Sequence, residues 1–151
     1  MYAVIFITFL LVAYARSIDF TGKKLEGNII LPAELAEIPA GSCLKVELQD
    51  ARKQDTAHKT IAKKLITTPE LAFEKGKPLT YSLDLKGELE DTADYSVSVV
   101  ANMAWCAEEG GKEWIRKGDL LNDTNFTVKL KDCAKPESKI CKGPIISLIK
   151  S

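Results

Sequence analysis

Histidine is nearly absent from this chain, formal charge cancels, and aromatic residues are sparse. The single histidine, His58, in 151 residues excludes a site built on several imidazoles. With no Cys-x-x-Cys spacing beside it, the usual zinc patterns are missing too. Lysine and arginine number 21 against 21 aspartates and glutamates, so the chain lacks the basic face that nucleic acid requires. Beyond residue 15 no apolar run approaches the roughly 20 residues of a membrane-spanning helix, and no tail resembles a lipid-anchor signal. A Gly-x-Ser-x-Gly elbow is likewise missing. No internal repeat, low-complexity tract or linker divides the chain, whose length suits one domain.

What is present starts at the N-terminus. Residues 1–15 carry no charged side chain. Their apolar part of about 13 residues is too short to span a bilayer, and they end in the small-x-small triplet Ala13-Tyr14-Ala15. The reading is a signal peptide, cut after Ala15 or after Ser17, that sends the remainder out of the cell. All four cysteines, Cys43, Cys106, Cys133 and Cys141, lie beyond it, and an even count in an oxidising compartment reads as two disulfides. Three pairings are possible. Cys133 and Cys141 bracket a short polar loop, while Cys43 and Cys106 sit in or beside strand-like runs, which favours pairing each with the other. Two adjacent sequons, Asn122-Asp-Thr124 and Asn125-Phe-Thr127, mark both asparagines as glycan acceptors in a secreted chain.

Alternation of apolar and polar residues recurs in short blocks, the mark of strands with one buried face. These are Leu25–Leu31, Cys43–Gln49, Thr60–Thr67, Leu79–Leu85, Tyr95–Ala101, Phe126–Leu130 and Ile145–Ile149. Turn signals at Pro39-Ala-Gly41, Lys75–Pro78, Lys86-Gly87, Gly110-Gly111 and Lys117-Gly-Asp119 leave no room for crossover helices. The expected fold is all-β with little helix: one antiparallel β-sandwich of about seven strands. Its parts are a 16–23 N-terminal segment and a 24–151 sandwich closing on the Cys133–Cys141 segment. Helix is confined to a turn or two at Ala33–Glu37, between Pro32 and Pro39, and a single turn after Pro69.

Residues within these strands also carry a resemblance: Leu25-x-Gly-x-Ile, Leu31-Pro32, Pro39-x-Gly-Ser-x-Leu-x-Val-x-Leu-x-Asp50, Thr60-Ile-Ala62 and Pro78-Leu-x-Tyr-Ser-Leu. Over roughly residues 24 to 130 the chain resembles the lipoprotein domain of the bacterial YbaY proteins and YscW secretion pilotins, which implies a compact β-sandwich of seven to eight strands. Bacterial members carry a lipid-modified cysteine at the signal cleavage site. Here that region reads Ala15-Arg16-Ser17-Ile18, so the resemblance implies a secreted, non-lipidated version and transfers no functional residue.

Candidate chemistry is thin. His58 lacks a nucleophile to activate, since the cysteines are assigned to disulfides. Glu90, Asp91 and Asp94, in the run 88–94, offer hard oxygen ligands of the kind weak extracellular calcium sites use, without the EF-hand spacing. Trp105 and Trp114 flank Cys106–Glu113, read as a hairpin turning at Gly110-Gly111; Trp105 or Trp114 is expected to pack against a disulfide, with Trp114 the more exposed. No catalytic residue, cofactor or metal is assigned. The expectation is a secreted, non-catalytic binding or structural module of extracellular-matrix type, facing an extracellular protein or matrix component. The alternatives are an inhibitor of an extracellular enzyme contacting it through residues 106–113, and a hydrolase using Asp50, Asp55 or Asp91.

Overall fold

A computed structural model describes residues 17–50 and 59–151. The expected signal peptide, Asp55 and His58 lie outside the described residues. The described chain is all-β, with strands β1 (Ser17–Asp19), β2 (Lys24–Ile30), β3 (Cys43–Asp50), β4 (Thr60–Thr67), β5 (Leu79–Asp84), β6 (Glu88–Glu90), β7 (Tyr95–Asn102), β8 (Leu120–Asn122), β9 (Phe126–Val128), β10 (Ile140–Lys142) and β11 (Ile146–Lys150). The helical content is two single 3-10 turns, Thr68–Glu70 behind Pro69 and Lys131–Cys133. The turn expected at Ala33–Glu37 is a lone reversal in which the Leu35 N–H donates to the Pro32 carbonyl. A five-residue window between two prolines cannot nucleate more.

The sheet is not the expected seven-strand sandwich. Nine strands form one curled half-barrel in the order β5-β2-β11-β8-β7-β3-β4, with β10 and β9 on the edges of β2 and β7, while β1 and β6 form a separate pair. Two strands are long enough to take two partners on one edge. β2 receives β10 along Lys24–Glu26 and β11 along Ile29–Ile30, both parallel. β7 receives β9 along Tyr95–Val97 and β8 along Val100–Ala101. The other pairings are antiparallel.

Both split edges are plugged. Between β8 and β9 the Asn122 side chain replaces the missing ladder: Oδ1 accepts from the Val99 N–H and Nδ2 donates to the Val97 carbonyl at 2.9 Å. Between β10 and β11 the Gly143 N–H donates to the Glu26 carbonyl at 2.6 Å. Tyr81, opposite Gly27 on β2, crosses that strand so that its hydroxyl donates to the Pro144 carbonyl at 2.8 Å. A side chain at Gly27 would occupy the tyrosine ring's position.

One core fills the curl. It takes Leu44, Val46 and Leu48 from β3, Val97, Val99 and Ala101 from β7, Leu25 and Ile29 from β2, and the alternate residues Leu79, Tyr81 and Leu83 from β5. Each buried aliphatic contributes about 1.5–3 kcal/mol by leaving water. Of the segment read as 16–23, residues 17–23 are described and make contacts with the sheet. β1 pairs with β6, Phe20 lies fully buried, and Lys23 reaches the carbonyls of Lys135, at 2.7 Å, and Ser138. The structure joins Cys43 to Cys106 and Cys133 to Cys141, with Cα separations of 5.4 and 5.1 Å. Among the described residues no helix is long and apolar enough to cross a membrane.

Candidate functional site

A half-barrel has two ends that do not meet, and here these are β4 and β5. Among the described residues β4 pairs only with β3, and β5 only with β2. The two come within 8 Å of each other, Cα to Cα, without forming a ladder. The seam between them holds an open cleft of about 480 Å³ lined by Thr60, Ile61, Ala62, Lys63, Lys64, Asp84 and Lys86. It lies at the end where β4 begins and β5 ends.

The lining chemistry follows from register. Cross-strand partners share a face. Lys64 lies opposite the buried Val46, and Ala62 opposite Leu48, so both belong to the face that elsewhere forms the core. Lys64 is nonetheless exposed because no strand covers it. Lys63 lies opposite Glu47 on the outer face and pairs with Glu109 of the loop after β7. On the far rim Asp84 pairs loosely with Lys24, at 4.0 Å between exposed groups, and Lys86 follows it. The seam is an open cleft of mixed lining, with Ile61 and Ala62 set among Thr60, Asp84 and three lysines.

A second feature stands on the outer face. Residues 103–118, between β7 and β8, contain no strand. The expected hairpin over 106–113 is therefore an irregular loop, with a turn closed by the Gly111 N–H on the Glu108 carbonyl. No paired strands flank that turn because the segment is tied down elsewhere. Asp119, only 2 % exposed, accepts from Asn102 Nδ2 at 3.0 Å, the Met103 N–H at 2.9 Å, Trp105 Nε1 at 3.0 Å and the Arg116 N–H at 2.8 Å. The Arg116 guanidinium stacks 3.9 Å from the Trp105 ring, and the Cys43–Cys106 bond pins the loop's near end. Trp105 is half-buried through these contacts, outside the core, while Trp114 is 54 % exposed.

The remaining sequence candidates do not converge. Glu88–Glu90 is strand β6, Asp94 lies 3.7 Å from Lys129, and the Tyr95 hydroxyl bonds the backbone of Glu90. Among the described residues no three Asp, Glu, His or Cys side chains group to hold a metal. Asp50 ends β3 and Asp91 follows β6; neither lines the seam. Asn125 is exposed in the β8–β9 turn, whereas the Asn122 amide is engaged on β7. Sequence reading missed the seam and Asp119. The seam left one trace, the tandem Lys63-Lys64 that interrupts the alternation of β4.

No family model and no curated protein matches this chain. Among solved structures it is similar to an alternative pilotin from the type II secretion system of Vibrio cholerae. The two share 22 % identity, with 85 % of this chain and 96 % of that chain covered and a TM-score of 0.55. The fold is pilotin-like. At that identity the likeness extends to the backbone arrangement alone, and the pilotin-like fold hosts whatever site its own side chains build. Its two disulfides fit an oxidising compartment, extracellular or periplasmic.

Proposed function

We propose that this is a secreted, disulfide-stapled, non-catalytic module that binds a protein partner in the seam between β4 and β5. The observation that carries the reading is the unclosed sheet: two long edges approach without pairing and leave a lined cleft. Exposed edges are a liability that folds normally cover or shorten, so an open pair with a basic margin is consistent with a surface kept for a partner. The signal-like N-terminus and the disulfides support export, and the sequon at exposed Asn125 supports a glycan there. The likeness to a pilotin agrees with a protein partner without naming one. The test is selection of a random peptide library on the oxidised protein, followed by rebinding to Lys64→Glu/Lys86→Glu. Selected peptides should lose binding to the seam variant. A set that binds both forms equally would place the contact surface elsewhere.

A second reading, an inhibitor acting through the outer loop, is favoured by exposed Trp114 on a segment fixed by a disulfide and by Asp119. Pre-ordered loops with an aromatic anchor lose little entropy on binding. Under that reading selected ligands would be lost on Trp114→Ala and retained on the seam variant.

A further inference from the structure

We infer that the free edge of β4 accepts an extended, acidic segment of the partner by strand addition, an inference that rests on the seam reading above. β4 spans 8 residues, Thr60–Thr67, contains no proline, and pairs along one edge only among the described residues. Half the backbone N–H and C=O groups of such a strand point away from its neighbour. They form a template for another strand. Short length and proline, two usual means of blunting an edge, are missing from β4, and among the described residues no strand pairs with its second edge.

The device that remains is charge. Lys63 and Lys64 are consecutive, so they stand on opposite faces of β4. A second copy pairing antiparallel about these positions would set lysine beside lysine on both faces, which is unfavourable. An acidic strand reverses the sign on both. The chain already illustrates that preference, since Glu109 of the neighbouring loop reaches Lys63. Lys86 adds a positive charge across the cleft, where the three lysines outnumber the one carboxylate, Asp84, itself loosely paired with Lys24. Ile61 and Ala62, both half-buried, add apolar surface to the cleft lining. The complementary segment is therefore extended, with two consecutive carboxylates, one for each face, flanked by small apolar residues. Backbone pairing would supply affinity and the lysines selectivity.

The experiment titrates three synthetic peptides into the intact, oxidised protein: one with a central Glu-Glu pair flanked by Val and Thr, its Lys-for-Glu counterpart, and the Glu peptide N-methylated at alternate residues. Amide exchange of residues 60–64 is followed by NMR. The Glu peptide should bind and protect β4 amides, the Lys peptide should bind at least about tenfold more weakly, and N-methylation should abolish binding whatever the variants do. Lys63→Glu/Lys64→Glu should invert the preference. Three results would overturn strand addition: no binding at millimolar peptide, binding without β4 protection, or tolerance of N-methylation. Concentration-dependent β4 protection without peptide would make a second copy the occupant. Should library-selected ligands depend on the seam yet prove neutral or helical, the seam reading survives and strand addition alone fails.

Discussion

Removing the Asp119 carboxylate tests whether the 103–118 loop is held by one buried acceptor. Asp119→Ala removes one acceptor from four donors: Asn102 Nδ2, which keeps only its bond to the Trp114 carbonyl, Trp105 Nε1 and the N–H groups of Met103 and Arg116. Trp105 and Arg116 lie near solvent, so water replaces part of what they lose, whereas Asn102 is 4 % exposed and Met103 half-buried. Counting two donors at the penalty of about 1–3 kcal/mol each for an unsatisfied buried group gives a loss of about 3 kcal/mol. For a chain of this size a urea m-value of about 2 kcal/mol per M turns that into a midpoint lower by about 1.5 M. Asp119→Asn, which keeps one acceptor oxygen, should fall between. Asp132→Ala, at an exposed position, should stay within about 0.5 kcal/mol of the parent. Equilibrium urea unfolding followed by tryptophan fluorescence reads all three. A midpoint change for Asp119→Ala below about 0.5 M, with Trp105 emission unmoved, would refute the claim that this carboxylate organises the loop.

Burial raises the Tyr81 hydroxyl above the ordinary tyrosine range. Its neutral form is favoured in the folded state, so stability is full below pH 10 and falls by about 1.4 kcal/mol per unit above it. Tyr81→Phe should cost about 1 kcal/mol at neutral pH through the lost Pro144 bond and flatten that alkaline decline, as pH-dependent denaturation would reveal. Gly27→Ala would set a methyl within 2.7 Å of Tyr81 ring atoms; thermal unfolding should show a loss of about 1–3 kcal/mol or more. Replacing both Cys133 and Cys141 by alanine should destabilise by about 2.5 kcal/mol in the chain-entropy account, with exchange rising first in β10; unchanged denaturation would contradict it. In a secreting eukaryotic cell Asn125→Gln should remove a glycan's mass. Asn122→Gln should leave the glycan in place and lower the melting temperature, because its amide bridges Val97 and Val99.

Long strands were legible and, apart from β9 within Phe126–Leu130, three-residue strands were not, for a physical reason. Eight residues of clean alternation, as in Cys43–Asp50, carry their own burial pattern, so period two marks both the strand and its inner face. Three residues do not. β1, β6, β8 and β10 exist because neighbours offer free edges: Glu88–Glu90 reads as part of an acidic loop until Ser17–Asp19 pairs with it. The curl was hidden in the same way. A parallel β10 and β11 sharing one edge of β2 depends on residues more than 100 positions apart, and no local period encodes that. Asp119 looked like a turn residue after Gly118, since a carboxylate's burial is decided by donors elsewhere in the sequence.

Lys64 joins these strands of argument. A lysine on the core-facing side of a strand is a fault in an alternation pattern and costs burial if the sheet closes over it. It is tolerated here because β4 is the last strand and its inner face opens onto the seam. The same charge that keeps the edge from pairing with its own copy selects the sign of whatever strand does pair there. Neutralising it should therefore have two separable effects. Lys64→Val completes the apolar pattern and should raise stability or leave it level, while promoting self-association that light scattering detects. If Lys64→Val instead destabilised the monomer without association, the lysine would be making an intramolecular contact, and the edge would owe its solitude to something other than charge.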